Sequence, residues 1–334
     1  MKMTRRKKII LVLLLTGFFL LSVRLKSFLQ RSKEEDLPKI YKDRRRNVDK
    51  VCKDYRSKLE EDYKKYFPEF RYHSVVSKVD LLYKTRGIGK RFLWCRVPKA
   101  SSQSWNDLFM RVWFSKNIFS TPGRQQVLLR RYWTLWFRHR KPKFLYNTND
   151  KIFSFLVSRH PFERILSAYR DKFFLNNQYS THSFEKTKVE KFRRLYGKEI
   201  ISKYRTAVPD DPKYKDAPTF REFILYMLDL PLEKFDPHWL PVYYQCLPCH
   251  IKYTILARID SMTEDSKEIL KRIGIGNYQL PFTHVTGNQT SDKMVEQFYS
   301  QLDLHILHKL YKLYEMDFLL FGYSPDTFYK YFNS

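Results

Sequence analysis

Residues 95–105 read CRVPKASSQSW, so a lysine and three serines follow directly on the apolar stretch FLW. Lys99 supplies a full positive charge, and Ser101, Ser102 and Ser104 supply hydroxyl donors. If a helix begins here, its unsatisfied N–H groups and dipole add to them, which is the chemistry of anion binding. A second stretch, SRHPFERILSAYRDKF (158–173), offers Arg159, whose planar fork suits a phosphate, with Ser167 two helical turns further on. Either turn alone could be an ordinary helix cap beside a solvated basic residue. Together they point to a phosphate-bearing ligand. The pattern G-x-x-x-x-G-K-[ST] is absent, and no strand-end carboxylate offers itself to Mg²⁺, so the ligand is read as one held without metal.

The elements that must position these groups follow from periodicity. FLWCRV (92–97) is an apolar run suited to a buried strand, and Trp105, Leu108, Phe109, Val112 and Trp113 then form one helical stripe. The unit recurs: a strand over 152–157, the turn SRHP, then Phe162, Ile165, Leu166, Tyr169 and Phe173 on one helix face. Pro161 sits at a first-turn position, where its missing N–H is not needed. Two strand–turn–helix units predict an α/β domain with a central, mainly parallel sheet flanked by helices. Further helices are predicted within 51–66, 220–230 and 301–315, and the lysine-rich stretch 184–216 reads as a surface excursion.

The chain has 334 residues, 43% of them hydrophobic, enough for a sizeable core and too apolar for a disordered chain. Its formal charge of +28 favours polyanionic partners: nucleic acid, anionic membrane or acidic glycans. The uncharged run Ile9–Val23 follows five basic residues, and no small-x-small cleavage site comes after it. It is read as an uncleaved signal-anchor with a cytosolic N-terminus, rather than a cleaved signal peptide. Cys52, Cys95, Cys246 and Cys249 suit two disulfides in an oxidising lumen, with three connectivities open. Zinc at the CLPC pair is disfavoured, since only His250 lies close by.

RVPKASSQSW resembles the 5′-phosphosulfate-binding motif of Golgi carbohydrate sulfotransferases, and SRHPFERILSAYRDKF resembles their 3′-phosphate-binding motif. The similarity is strongest to the branch that sulfates chondroitin and dermatan. DPHWLPVYYQCLPC (236–249) and LYKLYEMDFLLFGY (310–323) also fit that branch, so the likeness spans roughly 90–323. Gln103 and the serine run depart from the usual residues without removing an anion donor.

The resemblance implies a P-loop-like sulfotransferase domain and 3′-phosphoadenylyl sulfate as co-substrate, with no metal. Pro98, Lys99, Ala100, Ser101, Ser102, Gln103 and Ser104 fall around the 5′-phosphosulfate. Arg159, His160, Pro161, Phe162, Glu163, Arg164, Ile165, Leu166 and Ser167 form the second motif, with Arg159 and Ser167 at the 3′-phosphate. Lys99 is expected to neutralise the leaving phosphate, and His238 of the DPHW segment is the first candidate for general base, ahead of His160, His139 and Glu163. The implied organisation is a cytosolic tail (1–8), signal-anchor (9–25), lumenal stem (26–88), catalytic domain (89–326) and C-terminal tail (327–334), in a single-pass Golgi membrane protein. The acceptor is read as an acidic glycan against basic clusters such as RHRKPK (138–143) and KFRR (191–194), and not nucleic acid. An inactive lumenal glycan-binding protein is the alternative, with a nucleic-acid-binding protein ranked behind it. Asn288 stands in the one sequon, GNQT. The sugar hydroxyl chosen depends on segments 114–148 and 175–235, which carry no readable code.

Overall fold

Four strands form one sheet in the order β1 (Leu81–Leu82), β2 (Phe92–Cys95), β3 (Phe153–Ser158), β4 (Ile255–Arg258). β1 runs antiparallel to β2, while β2, β3 and β4 run parallel. This computed structural model describes residues 37–66, 81–82, 92–114, 152–174, 189–207, 209–281 and 292–329. The chain divides into two units, 1–43 and 44–334. Of the first only 37–43 are described, and the whole sheet belongs to the second. The apolar run 9–23, the cluster 138–143, His139 and Asn288 lie outside the described residues. Among the described residues no helix is long and apolar enough to cross a membrane.

Phe92, Leu93, Trp94 and Cys95 are all buried, as are Phe155, Leu156 and Val157. Continuous rather than alternating burial is the mark of parallel strands covered on both faces. Helix α3 (Ser102–Phe114) follows β2, after α1 (Lys39–Asp54) and α2 (Arg56–Tyr66) earlier in the chain. Of its predicted stripe Trp105, Leu108, Phe109 and Val112 are buried, the Trp113 side chain lying outside those described, and Trp105 and Phe109 pack with Trp94 and Phe155. Helix α4 (Pro161–Lys172) follows β3 and buries Phe162, Ile165, Leu166 and Tyr169.

Beyond α4 come α5 (Lys198–Tyr204), α6 (Phe220–Asp229), α7 (Val242–Cys246), α8 (Met262–Ile273), α9 (Asp292–Tyr299), α10 (Leu304–Phe321) and α11 (Asp326–Tyr329). Helix α6 starts at a reciprocal capping box between Thr219 and Glu222. Helix α10 runs from the Asp303 cap to Gly322, whose φ of 66° is a left-handed stop that favours glycine. It therefore begins and ends later than 301–315. The expected strand 92–97 stops at Cys95, and the helix expected over 51–66 is interrupted at Tyr55.

Two segments hold more structure than their composition suggests. In 184–216, a π-type turn (Arg193–Gly197) leads into α5, Ile200 is fully buried, and Arg205 forms a forked pair with Glu222 at 2.9 and 3.1 Å. This stretch is in part a packed layer, because its few apolar residues fall where they meet the body. In the segment expected as stem, residues 44–66 belong to the same unit as the sheet. Arg44 donates to the carbonyl of Leu256 and to Asp265, and Asn47 donates to the carbonyls of Leu319 and Leu320.

The disulfides are Cys52–Cys249 and Cys95–Cys246. The first ties α1 to the loop after α7, and the second ties the end of β2 to α7. Closing loops of 197 and 151 residues removes much freedom from the unfolded chain. Replacing Cys52 and Cys249 by serine should cost about 2–4 kcal/mol in chemical denaturation. Faster amide exchange over 44–54 than elsewhere should accompany the loss.

Candidate active site at the strand ends

The register of β2 on β3 places Cys95 opposite Leu156, so both strands release their chains at the same edge of the sheet. Four residues beyond Cys95 stands Lys99, and three beyond Leu156 stands Arg159. Arg159 Nη1 donates to the Lys99 carbonyl at 3.3 Å, joining the two turns directly. Lys99 and Ser101 have φ of 68° and 55°. A non-glycine residue there costs about 1–2 kcal/mol, and such strain gathers at functional sites. Trp105 N–H closes the first helical bond onto the Ser101 carbonyl, so the amides of Ser102, Gln103 and Ser104 precede the helix's own ladder. Lys99, the half-buried Ser101 and Ser102 and the first helix amides thus stand at one strand end, a donor set that fits a phosphate or sulfonate group, while Ser104 is buried.

A chain of charges runs across this edge. Lys99 Nζ pairs with Asp171 Oδ2 at 3.3 Å, and the same oxygen lies 2.9 Å from Lys172 Nζ. Burial pushes the pKa of Lys99 down, Asp171 opposes that, and Lys172 adds to the lowering. Lys172 Nζ sits 4.6 Å over the Phe192 ring, whose edge meets the His238 ring at 5.7 Å.

His238 Nδ1 and Asp236 Oδ1 are 2.5 Å apart, and Asp236 Oδ1 also accepts from the His238 amide at 2.9 Å. Burial lowers the imidazole pKa against the pull of Asp236, and Lys172 lowers it further. Burial pushes Asp236 up, but the hydrogen bonds from His238 outweigh it and hold that carboxyl below its ordinary range. A neutral imidazole that donates Nδ1–H to a carboxylate leaves Nε2 with its lone pair, the arrangement of a proton acceptor.

The turn carrying His238 is gripped through its carbonyls. Arg164, fully buried, donates to the His238 carbonyl at 3.1 Å and to the Leu240 carbonyl at 2.5 Å. Tyr314 donates to the carbonyl between them, that of Trp239. Asp317 accepts from the Val242 and Tyr243 amides at 2.7 and 2.9 Å and so caps α7. Burial raises the Asp317 pKa to about 6 against the field of Arg164.

These contacts sort the sequence candidates. Lys99, Arg159 and His238 come together at one edge. Ser101, Ser102, Glu163 and Ser167 are half-buried there, and Gln103 is exposed. Glu163 accepts from Arg159 Nε at 3.2 Å and so orients the guanidinium. Pro98, Ala100, Pro161, Phe162, Arg164, Ile165 and Leu166 turn their side chains into the core, where they shape the two turns without lining them. His160 is a packing residue: it stacks on Phe328 at 4.6 Å, lies 3.0 Å from the Ser324 carbonyl, and burial pushes its pKa down to about 4. Arg193 of the KFRR cluster bonds the Phe173 carbonyl and is not a free wall.

Asp171, Lys172, Phe192, Tyr196 and Asp236 escaped the sequence reading. The D-x-H spacing of Asp236 and His238 was the one signal in hand for any of them. Among the described residues no group of three or more His, Cys, Asp and Glu could hold a metal ion.

Residues 89–324 match the model of the Sulfotransferase family. The chain is similar to carbohydrate sulfotransferase 11 of Rattus norvegicus, 28% identical over 274 residues, covering 78% of this chain and 72% of the rat protein. It is also similar to carbohydrate sulfotransferase 14 of Danio rerio, at 28% over 240 residues (71% and 61% of the two chains). With carbohydrate sulfotransferase 12 of Xenopus laevis it shares 35% identity over 187 residues (53% and 41%). No solved structure gives a significant match.

Two outcomes are expected from this geometry. Arg164→Lys keeps the charge but loses the fork, and each charged hydrogen bond lost should cost about 1.5–3 kcal/mol of stability by thermal unfolding. His160→Phe should remove an acid sensitivity. His160 is depressed in the folded chain, so the unfolded chain binds its proton first, and stability falls as pH drops from about 6.5 towards 4. The variant's melting temperature should decline less over that window.

Proposed function

The chain belongs to the Sulfotransferase family, and we propose on that premise that it is a carbohydrate O-sulfotransferase using 3′-phosphoadenylyl sulfate. The observation that carries the reading is the contact between the two turns, Arg159 on the Lys99 carbonyl. It joins a 5′-phosphosulfate cradle to a 3′-phosphate cradle. Similarity to three carbohydrate sulfotransferases supports a glycan acceptor.

The step is an in-line displacement. The acceptor hydroxyl oxygen attacks sulfur, the bond from sulfur to the 5′-phosphate oxygen breaks, and 3′-phosphoadenosine 5′-phosphate leaves with the electron pair. Lys99 and the amides opening α3 neutralise the charge that grows on the leaving oxygen. The hydroxyl proton passes to His238 Nε2, the nitrogen left free by the Nδ1 bond to Asp236. Arg159 and Ser167 hold the 3′-phosphate.

The acceptor we infer is a chondroitin- or dermatan-type chain, whose regular carboxylates suit the excess of basic residues. Two disulfides and the basic flank before the run 9–23 support a lumenal domain on a signal-anchor in the Golgi.

Incubation with labelled donor and a panel of chondroitin, dermatan, heparan and N-glycan acceptors tests the reading. Transfer to chondroitin or dermatan is expected; transfer to none, with the folded chain in hand, would overturn it. Lys99→Ala should reduce turnover about 100- to 1,000-fold, the scale of losing one such charge stabiliser. Activity on the polymeric acceptor should fall steeply as salt rises, because the Debye length shrinks from about 10 Å at 0.1 M to about 3 Å at 1 M.

A further inference from the structure

We propose, resting on the reading of His238 as base, that Asp171 and Lys172 of α4 are a positioning pair that couples Lys99 to His238 and keeps the imidazole in its proton-accepting form. Neither residue belongs to the anion-binding turns, and both lie beyond Ser167 on the helix that carries the second motif.

The geometry is specific. Lys172 is 5% exposed, and a lysine so buried is rare unless its charge is matched. Two things match it: Asp171 Oδ2 at 2.9 Å, and the face of Phe192 at 4.6 Å. Phe192 meets the His238 ring edge-on, so the ammonium and the imidazole share one aromatic wall. The outer oxygen of Asp171 is at the same time the partner of Lys99. One carboxylate therefore touches the donor-side cation and the cation beside the base.

Charged groups face His238 from each element around it. Its own turn supplies Asp236, which is also bonded by Tyr196 from the π-type turn. Helix α4 supplies Lys172 and Asp171, while Arg164 from that helix engages the backbone carbonyl. Burial is the main force against the imidazolium, Lys172 adds to it, and Asp236 and then Asp171 favour the charged ring. Desolvation of the site makes each of these charges count for more than it would at a surface. Lys172 thus adds to burial in opposing the pull of Asp236 on the ring. A histidine so balanced stays neutral while its Nδ1–H remains anchored.

The test is a direct titration of His238 by NMR in the full chain, labelled with ¹³C at the histidine Cε1 position, with His238→Gln to assign the signal. Lys172→Gln should move the His238 midpoint up by about half to one pH unit, the scale of losing one nearby charge. Lys172→Arg should leave it near its starting value. Asp171→Asn should move it down. Opposite shifts of these two neighbours are what a merely structural role would not produce. No shift in either variant, or shifts of the same sign, would overturn the proposal; if Lys172→Gln does not fold, the sign of the Asp171→Asn shift decides. The acid limb of kcat/KM should follow the titration. An H238Q enzyme with full turnover would remove the base reading while leaving the titration result in place, so the two fail separately.

Discussion

Everything at this site hangs on the pairing of two short buried strands. With Cys95 opposite Leu156, the turns after β2 and β3 emerge side by side, and Arg159 reaches the Lys99 carbonyl. A slip of one residue would turn every side chain of β2 to the other face and carry the turn after it out of line with Arg159. Trp94, Trp105, Phe109 and Phe155 pack across β2, β3 and α3 and make that slip costly. The register is thus fixed by hydrophobic packing, and the juxtaposition of the two turns inherits its precision from it.

The second organising force is the need to satisfy buried charge. Arg164 is wholly enclosed, and its guanidinium is spent on the carbonyls of the turn that carries His238. Asp317 is likewise enclosed and ends on two amides of α7. Because burying such groups unpaired costs several kcal/mol, their partners are held firmly in place. The protein turns that cost into stiffness in the turn that carries His238. The same α4 that carries Arg164 inward presents Glu163, Ser167 and Asp171 on its other face, so one helix both supports and equips the site.

Both strand–turn–helix units could be read from sequence because each apolar stripe runs without interruption into its turn. Lys99 and Arg159 were legible for the same reason, and the family follows from their motifs. Strand β4 was not, since ILAR is four residues with no alternation and no turn signal. Helix α8 carries both end signals, acids in its first turn and a left-handed Gly274 stop, yet its apolar residues are sparse. The disulfide pairing and the docking of α1 through Arg44 and Asn47 depend on separations of 151 residues or more, which no local pattern encodes. Asp171 and Lys172 sit in a helix rich in charge, where nothing in the sequence marks them apart from Arg170.

The grip on the His238 turn also sets an order of assembly. Tyr314 and Asp317 reach back about 75 positions to Trp239, Val242 and Tyr243. During synthesis, Lys99 and Arg159 leave the ribosome well before the residues of α10 that hold the His238 turn. A growing chain therefore exposes both turns well before the contacts that fix the His238 turn can form. Any product cut short ahead of Tyr314 would lose the grip on the His238 turn and, with Ser324 and Phe328, the packing that seats His160 beside Arg159.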